Sequence, residues 1–81
     1  SHLGTVLVNK LGYTFTQYVN FIRIEKSKER LINTNDSIGC IAEKCGFAGQ
    51  SYFTQVFKNF VGKSPIDYRR EERRRLKQNQ L

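Results

Sequence analysis

Few side chains in this 81-residue chain are equipped for covalent chemistry. It has one histidine, His2, and two cysteines, Cys40 and Cys45. A zinc site asks for four ligands at tighter spacings, and His2 lies far from both thiols in sequence, so no metal is expected. There is no phosphate-cradling glycine loop and no nucleophile with a plausible base, which argues against an enzyme and leaves no cofactor to expect. What remains is hydrogen-bonding chemistry. In "CGFAGQSYFTQVFKNFVGKSP" (45–65), five aromatics fall between Phe47 and Phe60, and Ser, Thr, Gln, Lys and Asn fill the gaps. Carboxamides and hydroxyls carry donors and acceptors together, and lysine adds a point charge. Either this stretch is an ordinary amphipathic helix burying its rings, or the polar strip between them is a recognition surface.

The charge balance favours a partner of opposite sign. Fourteen Lys and Arg against seven Asp and Glu leave a net charge of +7. That points to a polyanion, nucleic acid first and an anionic membrane surface second. No apolar run approaches a membrane span and no signal peptide is visible, so a cytoplasmic protein is expected, with both cysteines as reduced core thiols. Hydrophobic residues make up 38% of the chain, enough for one small domain with a thin core.

The elements that must carry the strip emerge from a repeat. Shifted by fifty residues, "SHLGTVLVNKLGYTFTQY" (1–18) lies over "SYFTQVFKNFVGKSPIDY" (51–68) without a gap. Ser1/Ser51, Val6/Val56, Asn9/Asn59, Gly12/Gly62 and Tyr18/Tyr68 are identical, and Leu3/Phe53, Leu7/Phe57 and Leu11/Val61 are apolar in both copies. One supersecondary unit is used twice. In each copy an amphipathic helix ends at a glycine, Gly12 or Gly62, and a capping box opens the next helix: Thr14 with Gln17, and Ser64 with Asp67, the second followed by Pro65. Ahead of the second copy, "SIGCIAEKCGF" sets Ile38, Ile41, Ala42 and Cys45 on one stripe of a short helix, with Gly46 as the turn and Phe47 as an anchor. Short helix, glycine turn and second helix predict a helix-turn-helix over 37–61. By the offset, the matching helix of the first copy would lie before residue 1, so that motif is expected to be incomplete.

Between the copies, 15–33 predicts a helix whose apolar residues change sides. Phe15, Tyr18, Val19 and Ile22 lie on one face; Ile24, Ser27, Leu31 and Ile32 point roughly opposite. Such a helix would bridge two cores. Its length, about 30 Å at 1.5 Å per residue, is near the ~34 Å of one DNA turn. The full expectation is helices near 1–11, 15–33, 37–45, 49–61 and 65–78, with no strand.

The stretch 21–69 resembles the C-terminal DNA-binding domain of the AraC/XylS family of bacterial transcription regulators. The likeness rests on the arginine-isoleucine run at Arg23 and Ile24, the "IA…GF" turn, the "YF…FK" helix and the "G.SP..YR" ending. The resemblance implies an all-α fold: two helix-turn-helix subdomains of homeodomain-like three-helical units, joined by a long linker helix. It divides the chain into a first recognition helix (1–12), a linker helix (14–33), a second helix-turn-helix (37–61) and a basic C-terminal helix (64–81). It also implies double-stranded DNA as the partner, read in the major groove by a monomeric domain that usually sits behind a separate sensing or dimerisation region.

Carried over by position, the base-reading face is Gln50, Ser51, Thr54 and Gln55, with Lys58 toward a phosphate. The chemistry agrees, since Gln pairs with adenine edges, Ser and Thr serve any base, and Lys is a point charge for phosphate. Tyr52 either contacts the backbone or caps the core. Phe47, Phe53, Phe57 and Phe60 are assigned to the core. In the first copy the equivalent face is Ser1, Gly4, Thr5 and Val8, with no long or charged side chain. In "YRREERRRLKQNQL", Arg69 and Arg70 are the better phosphate candidates, while Glu71 and Glu72 can pair with Arg75 and Arg69 or with Arg73. The rival to DNA is a protein partner, RNA polymerase or a coregulator, meeting the basic helix 65–80.

Overall fold

The computed structural model describes residues 14–79. Four helices follow in order: α1 (Phe15–Asn33), α2 (Ile38–Lys44), α3 (Gln50–Val61) and α4 (Pro65–Asn79), with no strand among the described residues. The expected helix near 1–11, its Gly12 stop, and Ser1, Gly4 and Thr5 lie outside them. Three of the four starts have a local side-chain cause. The Thr14 hydroxyl accepts from the Gln17 amide and the Gln17 side chain accepts from the Thr14 amide, both at 3.0 Å. Ser37 Oγ accepts from the Cys40 amide at 3.1 Å, and Ser64 Oγ from the Asp67 amide at 3.2 Å. Pro65 fills the first helical position of α4, where no N–H is needed, and is itself buried.

The core gathers one face from each helix of the turn unit. Ile24 and Leu31 of α1 meet Ile38, Ile41 and Ala42 of α2, then Cys45, Phe47, and Phe53, Val56 and Phe57 of α3. Rings carry the packing across elements: Phe47 to Phe53 at 5.0 Å, Phe53 to Phe57 at 5.7 Å, and Phe57 edge-on to Tyr68 of α4 at 5.4 Å. Ser27 is wholly buried where a larger side chain would separate the helices, and its hydroxyl donates back to the Ile24 carbonyl at 2.7 Å.

The two-sided pattern of α1 is real. Ile24, Ser27 and Leu31 are buried, whereas Phe15, Tyr18 and Ile22 are exposed. Three expectations need correction. Phe60 is not core: it is 38% exposed and rests against Phe21 of α1, ring centroids 6.2 Å apart. It follows the last turn of α3 past the edge of the cluster. Cys40 is only half-buried, because at 100° per residue it points away from the stripe of Ile38, Ile41, Ala42 and Cys45. Ile32 is likewise half-buried, one residue round from Leu31.

Candidate nucleic-acid interface

The orientation of the polar strip depends on how α2 hands over to α3. Gly46 has φ +90°, a left-handed conformation that L side chains rarely adopt. Around it the Phe47 amide donates to the Ala42 carbonyl at 2.9 Å and the Gly46 amide to the Glu43 carbonyl at 3.1 Å. These are the two bonds of a Schellman stop, with Phe47 driven into the core beside Ala42. Arg23 of α1 crosses the same turn so closely that a Cβ on Gly46 would sit 3.2 Å from its Nε. Two constraints therefore ask for glycine here. A second left-handed glycine, Gly62 at φ +89°, ends α3, its amide donating to the Lys58 carbonyl at 2.9 Å.

Between these stops α3 has two opposed faces. Phe53, Val56 and Phe57 turn inward; Gln50, Ser51, Gln55 and Lys58 are exposed and Thr54 is half-buried. At 100° per residue the five polar positions share one arc, and α3 contains no acidic residue to repel phosphate. Lys58 makes no ion pair with another described residue. Gln50 lies over α2, its Oε1 at 3.1 Å from where a Cβ on Gly39 would stand, so this end of the strip packs against the preceding helix. The divided reading of the aromatic stretch holds for three of its five rings: Phe47, Phe53 and Phe57 are inside and the polar strip is outside, while Tyr52 and Phe60 are exposed.

Tyr52 flanks this arc. Its hydroxyl accepts from Asn20 Nδ2 of α1 at 3.2 Å and its ring lies 6.0 Å from Phe47, while the side remains 45% exposed. Asn20, absent from the residues expected to matter, is buried. Its signal was the spacing Asn20, Ile24, Ser27, Leu31, a continuous inward stripe that begins on a polar residue.

The arginines of α4 separate. Arg69 was expected to meet phosphate. Instead its Nε donates to the Leu31 carbonyl at 2.8 Å, and its Nη2 to the carbonyls of Thr34 at 3.2 Å and Asp36 at 2.8 Å. Its guanidinium closes the exposed end of α1 and the link to α2, where carbonyls lack helical partners. Burial first, and then the charge of Arg73, lower the Arg69 pKa, yet an arginine remains cationic at any pH the fold meets. Arg73 joins it, donating to the Thr34 carbonyl and to Asn35 Oδ1. Arg70 is exposed and faces Asp67 at 3.4 Å. Of the acids of α4, Glu72 takes Arg75 at 2.7 Å, a partner the sequence offered, whereas Glu71 takes Lys63 at 2.6 Å, which it did not; Arg69 and Arg73 are turned toward the α1–α2 link instead.

A family model described as a helix-turn-helix domain matches residues 1–71. The chain belongs to that helix-turn-helix family. Its type is the AraC type that the motifs of 21–69 implied. The helix-turn-helix domain is 45% identical over 60 residues to the uncharacterized HTH-type transcriptional regulator YisR of Bacillus subtilis, a match covering 74% of this chain and 21% of that protein. It is 37% identical over 68 residues to the bifunctional transcriptional activator/DNA repair enzyme AdaA of the same organism, covering 84% of this chain and 32% of AdaA. Among solved structures, the C-terminal domain of the two-component response regulator yesN from Fusobacterium nucleatum superposes with TM-score 0.74 at 32% identity, covering 84% of this chain and 66% of that one. A Listeria innocua protein of unknown function gives 0.75 at 36%, covering 85% and 66%. The chain spans about a fifth of the length of YisR and of the related YesN of B. subtilis. No described helix is long and apolar enough to cross a membrane.

Proposed function

We propose that this domain is the DNA-reading part of an AraC-type transcription regulator, and that α3 enters the major groove of double-stranded DNA. The observation that carries the reading is the arc of Gln50, Ser51, Thr54, Gln55 and Lys58 on a helix whose opposite face is locked into the core. Gln50 and Gln55 are the carboxamides for adenine edges, Ser51 and Thr54 adapt to any base, and Lys58 takes a phosphate. Arg70, held only by an exposed pair with Asp67, is the remaining phosphate candidate on α4. By the fifty-residue repeat, residues 1–12 would bring Ser1, Gly4 and Thr5 to the neighbouring stretch of duplex. The domain binds as a monomer and performs no catalysis in this reading. A second surface, for RNA polymerase or a coregulator, is favoured by the exposed Ile66 and Leu76 on the basic α4.

The test begins with a preferred site selected from a random duplex pool. Lys58→Ala should weaken binding to all sequences alike and flatten the dependence of log K on log salt by roughly one unit. Gln55→Ala should cost ~1–3 kcal/mol on the selected site and little on random DNA. If the two variants behave alike, the assignment of base reader and phosphate clamp is wrong. Binding without salt dependence would remove DNA altogether.

A further inference from the structure

The Asn20–Tyr52 contact leaves one valence open. Asn20 is buried, and its amide N–H donates to the Tyr52 oxygen at 3.2 Å. That occupies an acceptor site of the phenol and leaves its own O–H to donate elsewhere. The ring leans on Phe47 and Tyr52 is 45% exposed, so the side chain stands at the edge of the polar arc, on the side that faces α1, rather than inside the core. Beside it is a hollow of about 180 Å³ lined by Phe15, Thr16, Val19, Asn20, Arg23 and Tyr52. Its lining holds one cation and no carboxylate. Arg23 is held over the Gly46 turn, and it forms no ion pair with a described residue.

We propose that this hollow seats a backbone phosphate of the bound duplex: the Tyr52 hydroxyl donates to it, Arg23 supplies the charge, and Asn20 is a positioning residue that aims the hydroxyl outward. The inference rests on the DNA-binding reading above. A phosphate oxygen there would meet an oriented neutral donor and a guanidinium, the combination that fixes register along the backbone without reading sequence. The arrangement ties the start of α3 to α1 at the place where the strand is gripped. The angle at which the reading arc meets the bases is then set by α1 as well as by the turn.

Three variants of the intact chain test this on the selected duplex. Tyr52→Phe keeps the ring on Phe47 and removes only the hydroxyl. It should weaken specific and random DNA alike, by roughly tenfold for one hydrogen bond to a charged acceptor, with the salt slope unchanged. Arg23→Gln should lower that slope by about one unit. Asn20→Asp reverses the contact, because a carboxylate accepts the phenol proton, and should reproduce the Tyr52→Phe loss while circular dichroism shows the helices intact. Replacing phosphates one at a time by methylphosphonate should locate a single position at which Tyr52→Phe and Arg23→Gln no longer matter. Equal losses on every modified duplex, or a Tyr52→Phe variant that binds like the parent, overturn the phosphate seat while leaving the domain a DNA binder. A parent chain that fails to bind any duplex overturns both readings.

Discussion

Arg69→Ala should be among the most damaging single changes outside the apolar core. The guanidinium makes three hydrogen bonds to main-chain carbonyls of residues 31, 34 and 36, two of them at 2.8 Å. Each is charge-assisted, and a net contribution near 1 kcal/mol or somewhat more is usual for such a bond in a half-buried setting. Arg73 still reaches the Thr34 carbonyl after the change, so the carbonyls of Leu31 and Asp36 lose most. The expected destabilisation is roughly 2–4 kcal/mol, a large share of the stability of so small a domain. At about 4–8 °C per kcal/mol, the melting midpoint should fall by roughly 10–25 °C. Arg69→Lys, keeping one donor direction of three, should lose about half as much. Thermal melts followed by circular dichroism measure this. DNA titrations at a temperature where all variants are folded should show an unchanged salt slope. A variant that melts within about 3 °C of the parent, or that lowers the slope by one unit, would return Arg69 to the phosphate and refute the structural role.

The remaining expectations concern caps, turns and pH. Gly49 begins α3 with an extended backbone, no side-chain capping bond and open space where a Cβ would go, so Gly49→Ser should raise the unfolding free energy by a few tenths of a kcal/mol, read as a higher urea midpoint; a lower midpoint counts against the cap. Gly62→Ala, at a left-handed position with free space, should cost ~1 kcal/mol, and Gly46→Ala should cost more because Arg23 also occupies the site; equal costs would mean Arg23 moves aside freely. Burial raises the pKa of the Cys45 thiol and of the Tyr68 phenol. The unfolded chain therefore ionises first, and stability held below about pH 8.5 should decline as pH rises toward about 10 and beyond. Cys45→Ala should remove the earlier part of that decline, and a urea midpoint that is flat across this range would contradict it.

Local structure was legible in the sequence because its causes are local. Thr14 and Gln17, Ser37, Ser64 with Pro65, and the glycines at 46 and 62 each act within a turn or two of the chain, so spacing alone places the four helices to within a residue. The inward stripe of Ile38, Ile41, Ala42 and Cys45, and the polar arc of α3, follow from helical periodicity in the same way. Long side chains escaped that logic. Arg69 reads as a cation beside a reading helix, and only the folded chain shows it reaching 38 residues back to Leu31. Asn20 reads as an ordinary helical polar residue until packing buries it and puts Tyr52, 32 positions away, at its amide. Phe60 has the same composition and spacing as Phe53 and Phe57, yet the cluster ends before it. Sequence fixes what a residue can donate, accept or bury. Which partner it meets depends on distances between separate helices, and those are set only when the whole core packs.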